Sequence, residues 1–185
     1  MTGLLGLLLA GALLGVAVWL YNSLVGLRNQ VGSAWAQIDV QLKRRHDLIP
    51  NLVAAVRGYM QHERELFERI AAARARALSV TGAGAVGAAE GALSQAVGGL
   101  LAVLERYPDL KANQNVLALQ EELVTTENRV GFARQLYNDL VARYNTRQQM
   151  FPANLVADAL GFKPAEFFQA DAADRERPGV DVGPR

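Results

Sequence analysis

Residues 3–20, GLLGLLLAGALLGVAVWL, run for 18 residues without a charged or strongly polar side chain. At about 1.5 Å per residue, a helix of this length reaches roughly 27 Å, close to the thickness of a bilayer's hydrocarbon core. Trp19 and Tyr21 stand at its C-terminal end, and Asn22 and Ser23 close it. Rings with an apolar body and a polar tip favour the headgroup region. No basic residue precedes the run, and VWLYNSLVG follows it without a small-x-small pattern. The segment is therefore expected to be an uncleaved anchor, residues 1–27, and not a removed signal.

Arg28, Lys43, Arg44 and Arg45 all follow the run and no basic side chain stands before it. The positive-inside rule then places the C-terminal part in the cytoplasm, on a single-pass helix. Gly11 and Gly15 form a GxxxG, with Gly6 and Ala10 a similar pair one turn earlier. Small residues at this spacing let two helix backbones approach closely in lipid, so Gly11 and Gly15 are the candidate packing residues of the membrane helix.

Beyond the anchor the chain has the length of one typical domain. Lys and Arg number 19 against 18 Asp and Glu, a net charge of +1 that supplies no field to attract nucleic acid. The absence of cysteine excludes disulfides, thiolate nucleophiles and cysteine zinc sites. Ala, Leu, Gln, Glu and Arg dominate from Gln30 to Gln149, and these are strong helix formers. The expected class is all-α: one transmembrane helix, then an antiparallel up-and-down bundle of three long helices and a short C-terminal one.

The periodicity supports this. Leu42, Ile49, Leu52, Val56, Tyr59, Leu66, Ile70, Ala73 and Ala77 alternate in steps of three and four, with Arg45 and Glu63 filling the gaps. That is a heptad seam, read as one coiled helix. Leu24, Leu27, Val31, Trp35 and Ile38 join it after a one-residue slip, so the anchor is expected to continue into the first soluble helix. Residues 79–99 hold six glycines. Each disfavours a helix interior by about 1 kcal/mol, which predicts a mobile loop to about Gly87 and a weak helix from Ala88 to Arg106. Val116, Leu119, Leu123, Thr126, Val130, Ala133, Tyr137, Leu140 and Tyr144 predict a long helix over 113–149. Pro152 opens a short helix that Gly161 ends, with Phe162, Phe167 and Phe168 folding back. Residues 169–185 are charged, rich in Pro and Gly, and expected to be disordered. The expected domains are thus the anchor 1–27, the bundle 28–168 and the tail 169–185.

KRRHDLIPNL, residues 43–52, places basic residues and a proline inside this helical pattern. Lys43 lies about 33 Å beyond Tyr21 along a straight helix, too far for an attraction to lipid that decays over about 8–10 Å. His46 and His62 are about 24 Å apart along such a helix and share no metal. His62 and Glu63 begin an HE pair, but the zinc-protease pattern needs a second histidine where Leu66 stands. The reading that fits is a structural joint of Arg44, Arg45, Asp47, Pro50 and Asn51. A helix ends on the basic residues and a new one starts with Asp47 as its N-cap, which places Pro50 in a first turn where it is harmless.

A second polar feature is the face carrying Glu127, Asn128, Arg134, Asn138 and Asn145, with Tyr137 and Tyr144 one heptad apart. It reads as a half-buried hydrogen-bonded network that specifies register, with a partner groove as the rival. Glu63, Glu127 and Asp139 are conceivable acids or bases, yet Glu65–Arg69 and Asp139–Arg143 have the order of solvated helix pairs. No serine or lysine nucleophile stands beside a plausible base. No enzyme activity, cofactor or metal is expected.

AWAQIDVQLKRRHDLIPNLVAAV, the HERE at 62–65, LQEELVTTENRVGFARQLYNDLVARYN and MFPANLVADALGFK together resemble the LemA family of bacterial membrane proteins, over about residues 20–168. The resemblance implies a single N-terminal membrane helix and a cytoplasmic four-helix-like bundle without enzymatic activity. It also implies links, in some members, to membrane organelle formation or to neighbouring membrane proteases. The expected partners are the bilayer, further copies of this chain and an integral-membrane protein. The leading expectation is a self-associating scaffold, and the alternative an adaptor for a membrane protease or signalling protein.

Overall fold

The computed structural model of the protein describes residues 2–168, and every regular element among them is helical. The helices are α1 Thr2–Val56, α2 Arg64–Ser79, α3 Ala83–Leu104, α4 Pro108–Lys111, α5 Gln114–Gln149 and α6 Ala153–Ala159. This is the all-α bundle class that the periodicity predicts. The tail 169–185 lies outside the described residues. The described chain groups into two compact units, residues 1–42 with 128–167 and residues 43–127 with 168. The expected boundary at 27 falls inside α1, which runs from the apolar segment onward without a break.

In the first unit, α1 and α5 lie antiparallel: Trp35 meets Tyr137 with ring centroids 5.4 Å apart, and Trp19 meets Arg147 further along. Leu24, Val31, Ala34, Ile38 and Leu42 form the buried stripe of α1, and Val130, Tyr137, Val141 and Tyr144 that of α5. Val141 is fully buried where the sequence pattern chose Leu140. The short α6 ends at Gly161, whose φ of 68° lies in the left-handed region that L side chains avoid. Phe162 then returns to pack edge-on against Tyr21.

The second unit is a bundle in its own right. Leu48, Ile49, Leu52 and Val56 of α1 bury themselves with Leu66, Phe67, Ile70 and Ala77 of α2. Leu93, Val97, Leu100 and Leu104 of α3 join the same core at steps of four, three and four. Val116 and Leu123 of α5 complete it. Asn113 caps α5, its Oδ1 accepting from the amides of Asn115 and Val116.

Two expectations about these helices are corrected. The seam from Leu42 to Ala77 is not one helix, because a turn over 57–63 separates α1 from α2. Gly58 lies in that turn, Met60 is fully buried by it, and Tyr59, assigned to the seam, is 60% exposed. The glycine-rich segment is helical from Ala83 and not a loop to Gly87. Gly87, Ala89 and Gly91 are buried, so tight tertiary packing outweighs their low propensity. Among the described residues, α1 and α3 are both long and apolar enough to cross a membrane. The apolar stretch of α3 is 39% buried against 6% for that of α1, which marks α3 as a core helix.

Replacing Gly161 by alanine forces a Cβ into the left-handed region and should lower stability by about 1–2 kcal/mol, read as an earlier denaturation midpoint of the full-length protein.

Candidate functional site

A helix seam position faces the core whatever residue occupies it, and Arg45 sits on the seam between Leu42 and Ile49. Its side chain is 1% exposed. Burial of an isolated guanidinium is prohibitive, so the surrounding helices must supply opposite charge. Glu90 of α3, 4% exposed, accepts from Arg45 Nη1 at 2.9 Å. Arg45 Nη2 donates to Ser94 Oγ at 2.8 Å, one turn further along α3. Arg45 Nε lies 3.1 Å from Glu127 Oε2 on α5, a charge contact that is off the line of a hydrogen bond. Ser94 in turn donates to Glu127 Oε1 at 2.9 Å.

His46, next in sequence, reaches the other oxygen of the same carboxylate, with Nε2 2.7 Å from Glu90 Oε1. Because an ionised carboxylate only accepts, Nε2 carries the proton. One buried glutamate thus holds two consecutive residues of α1. Arg44 points outward and pairs with Glu122 at 2.6 Å at the surface, where such a pair contributes little.

The proposed helix restart at Asp47 is not present. α1 continues through Pro50 to Val56, with Asp47, Pro50 and Asn51 exposed within it. Proline lacks the amide that would bond the carbonyl of His46, which is the usual reason for ending a helix there. Here Arg74 of α2 replaces the missing donor, its Nε giving a 3.0 Å hydrogen bond to the His46 carbonyl. The stretch joins helices in space instead of separating them along the chain.

The face expected to run along α5 divides between the two units. Glu127 serves the arginine cluster, whereas Asn145 lies in the first unit and bonds both backbone groups of Ala165 at 2.9 Å. Tyr137 donates to the Glu166 carbonyl at 2.8 Å and Tyr144 to that of Lys163 at 3.2 Å. Gln148 adds a bond to Lys163. Together they hold the segment that follows α6 as an extended strap along α5. Arg134 and Asn138 are half-buried and Asn128 is exposed. Burial pushes the Tyr137 hydroxyl above the usual phenol range, and the charge of Glu166 adds to this. Burial likewise raises Tyr144, against an opposing effect of Arg28.

Chemically the arginine cluster is closed. Ser94 gives its proton to Glu127 and accepts from Arg45, and His46 faces Glu90 and not Ser94. Among the described residues no group of three His, Cys, Asp or Glu side chains is placed to hold a metal. Gly11 and Gly15 stand exposed, and a Cβ built on either meets nothing within 4 Å. Sequence reasoning placed Arg45 but missed Glu90 and Ser94. The available signal was that Glu90 is the one charged residue in 77–104.

Three outcomes are expected. Glu90→Ala leaves Arg45 without its most buried counter-charge and should cost about 3–5 kcal/mol in denaturant unfolding. Arg74→Ala should cost about 1–3 kcal/mol by orphaning the His46 carbonyl, and distinctly less in a Pro50→Ala background where the helix's own amide returns. The tyrosine strap should contribute fully below the ordinary phenol pKa of 10.0 and be lost as pH rises through the elevated values. Tyrosinate absorbance should show that late titration, and Tyr137→Phe should remove part of it.

The LemA family model matches residues 34–182. The protein LemA of Metamycoplasma hominis is 27% identical over 163 residues, covering 87% of this chain and 72% of the relative. Magnetosome protein MamQ 2 of Paramagnetospirillum magneticum is 25% identical over 179 residues, covering 83% of this chain and 66% of the relative. Magnetosome protein MamQ of Magnetospirillum gryphiswaldense is 23% identical over the same length and shares. The chain therefore spans about two thirds of the length of the MamQ relatives. With the family model matched across most of its length, from the seam ahead of the arginine cluster through the strap, the chain belongs to the LemA family.

Proposed function

We propose that this protein is a non-enzymatic, membrane-anchored helical scaffold that self-associates and organises a membrane-associated assembly. The observation that carries the reading is α1 itself. Fifty-five residues of unbroken helix carry an apolar stretch of bilayer length that continues directly into the packed first unit, so the anchor is a stiff extension of that unit. The basic residues Arg28 and Lys43 to Arg45 support a single-pass helix in the bacterial inner membrane with the packed units in the cytoplasm. The relatives named magnetosome proteins support a part in a larger assembly.

The membrane helix presents Gly11 and Gly15 with open space around them. Small residues at this spacing are suited to a second helix of the same kind. A second reading, an adaptor presenting a helical face to another integral-membrane protein, is favoured by a groove in the first unit. It has a volume of about 500 Å³ and is lined by Ala36, Val40, Phe132 and Leu136 among others, with Phe132 73% exposed.

The test is the mass of the full-length protein in mild detergent or nanodiscs beside a variant lacking residues 2–18, which keeps the buried Leu20 and Leu24 of the first unit. A discrete oligomer that collapses in the truncated form is expected, whereas monomers in both would overturn self-association and favour the adaptor. Gly11→Leu with Gly15→Leu should reduce the oligomer without affecting the fold of the single chain, because no intramolecular neighbour is displaced.

A further inference from the structure

The corner between α5 and α6 is built the wrong way round for water. On α6, Ala153 and Ala157 face inward and are almost fully buried, while the large Leu155 points out. Phe151 is 79% exposed, Leu155 60%, Leu160 58% and Met150 50%, which places four large apolar side chains together on the surface within eleven residues of chain. Isolated exposed leucines are ordinary, but such a cluster marks a surface that is covered in use.

The position of the corner indicates what covers it. The Arg147 guanidinium, at the end of α5, stacks 5.2 Å from the ring centroid of Trp19. Tyr21 packs against Phe162, the residue after Gly161, and Arg28 lies over the same ring at 5.4 Å. Leu20 is 3% exposed although it belongs to the apolar run. These contacts hold the corner at the level where the apolar stretch ends and its aromatic residues begin. The charge of the region is also one-sided: residues 19–28 and 143–163 contain Arg28, Arg143, Arg147 and Lys163 against Asp158 alone. An apolar cluster rimmed by cations at the end of a membrane helix matches the headgroup zone of an anionic bilayer.

We propose that this corner, with Phe151, Leu155 and Leu160 at its centre, is a membrane foot that inserts into the interfacial layer of an anionic lipid bilayer beside the transmembrane helix. The inference rests on the membrane anchoring proposed above. The foot gives the anchor a second, lateral point of attachment, so that depth and tilt of α1 are set by two contacts instead of one.

The test uses the full chain, which contains no cysteine, so that single-cysteine variants carry one label each. Phe151→Cys, Leu155→Cys, Leu9→Cys and Phe132→Cys are labelled with an environment-sensitive nitrobenzoxadiazole dye. They are reconstituted in vesicles of phosphatidylcholine and phosphatidylglycerol, with and without nitroxide lipids. Leu9 reports the anchor. Phe132 is an exposed control sharing a groove with Val40, twenty residues or about 30 Å beyond Leu20 along α1. The expected result is a blue-shifted emission at 151 and 155 that loses most of its intensity to a nitroxide held near the headgroup, with Leu9 quenched by a deep nitroxide and Phe132 unaffected. Quenching at Leu9 with water-like, unquenched labels at 151 and 155 would overturn the foot and leave the anchor standing. A blue shift at 151 and 155 that nitroxide lipids do not quench would overturn it in favour of cover by a second copy. Absence of quenching at Leu9 would overturn the anchoring itself.

Discussion

A guanidinium removed from water has to be met by charge from several directions, and the second unit is arranged around that requirement at Arg45. Three helices are fixed by it. α1 brings the arginine to the seam, α3 brings Glu90 and Ser94, and α5 brings Glu127. Aliphatic packing alone tolerates rotation and repacking among similar side chains, and a core of Leu, Ile and Val at heptad spacing would accept several registers. A buried carboxylate that must serve both Arg45 and His46 accepts few. The cluster therefore works here as a specifier of arrangement, with the surrounding apolar core supplying the bulk of the stabilisation.

The chain has two polar systems of different kinds. The arginine cluster is charged and almost dry, linking helices to one another. The system on α5 in the first unit consists of neutral amides and phenols that hold backbone, chiefly the carbonyls of Lys163 and Glu166 and both groups of Ala165. Backbone in an extended strap has no helix or sheet partners of its own, so side chains from α5 complete its hydrogen bonding. The strap carries the return from Gly161, and through Phe162 it ties the end of the domain to Tyr21.

Much of this was legible in the order of residues. Seam positions on α1 and α5 were readable because a single helix face is a local property of spacing, and the αL stop at Gly161 follows from one residue's freedom. The break at 57–63 was not, because the three-four pattern continues through it and Met60 buries itself from a turn as well as from a helix. The helicity of 83–104 was hidden for another reason: glycine propensity speaks against it, while close packing against α2 becomes visible only in three dimensions. Arg45 was recognisable as a charge in a core position, but its partners lie 45 and 82 residues away, and no local rule links them. Pro50 misled most. Its cost to its own helix is a local property of the sequence, whereas the donor that cancels it belongs to another helix.

That cancellation has a geometric meaning. The interior turns of an α-helix present a closed backbone ladder to their neighbours, and such a surface carries no marks along its axis. Pro50 opens one gap, at the carbonyl of His46, and Arg74 fills it. If α2 slid by one turn, about 5.4 Å, the arginine would face a carbonyl already in use and the gap would be left empty. The proline thus gives a smooth helical rod a single notch, and the lengthwise position of its neighbour is read from where that notch falls.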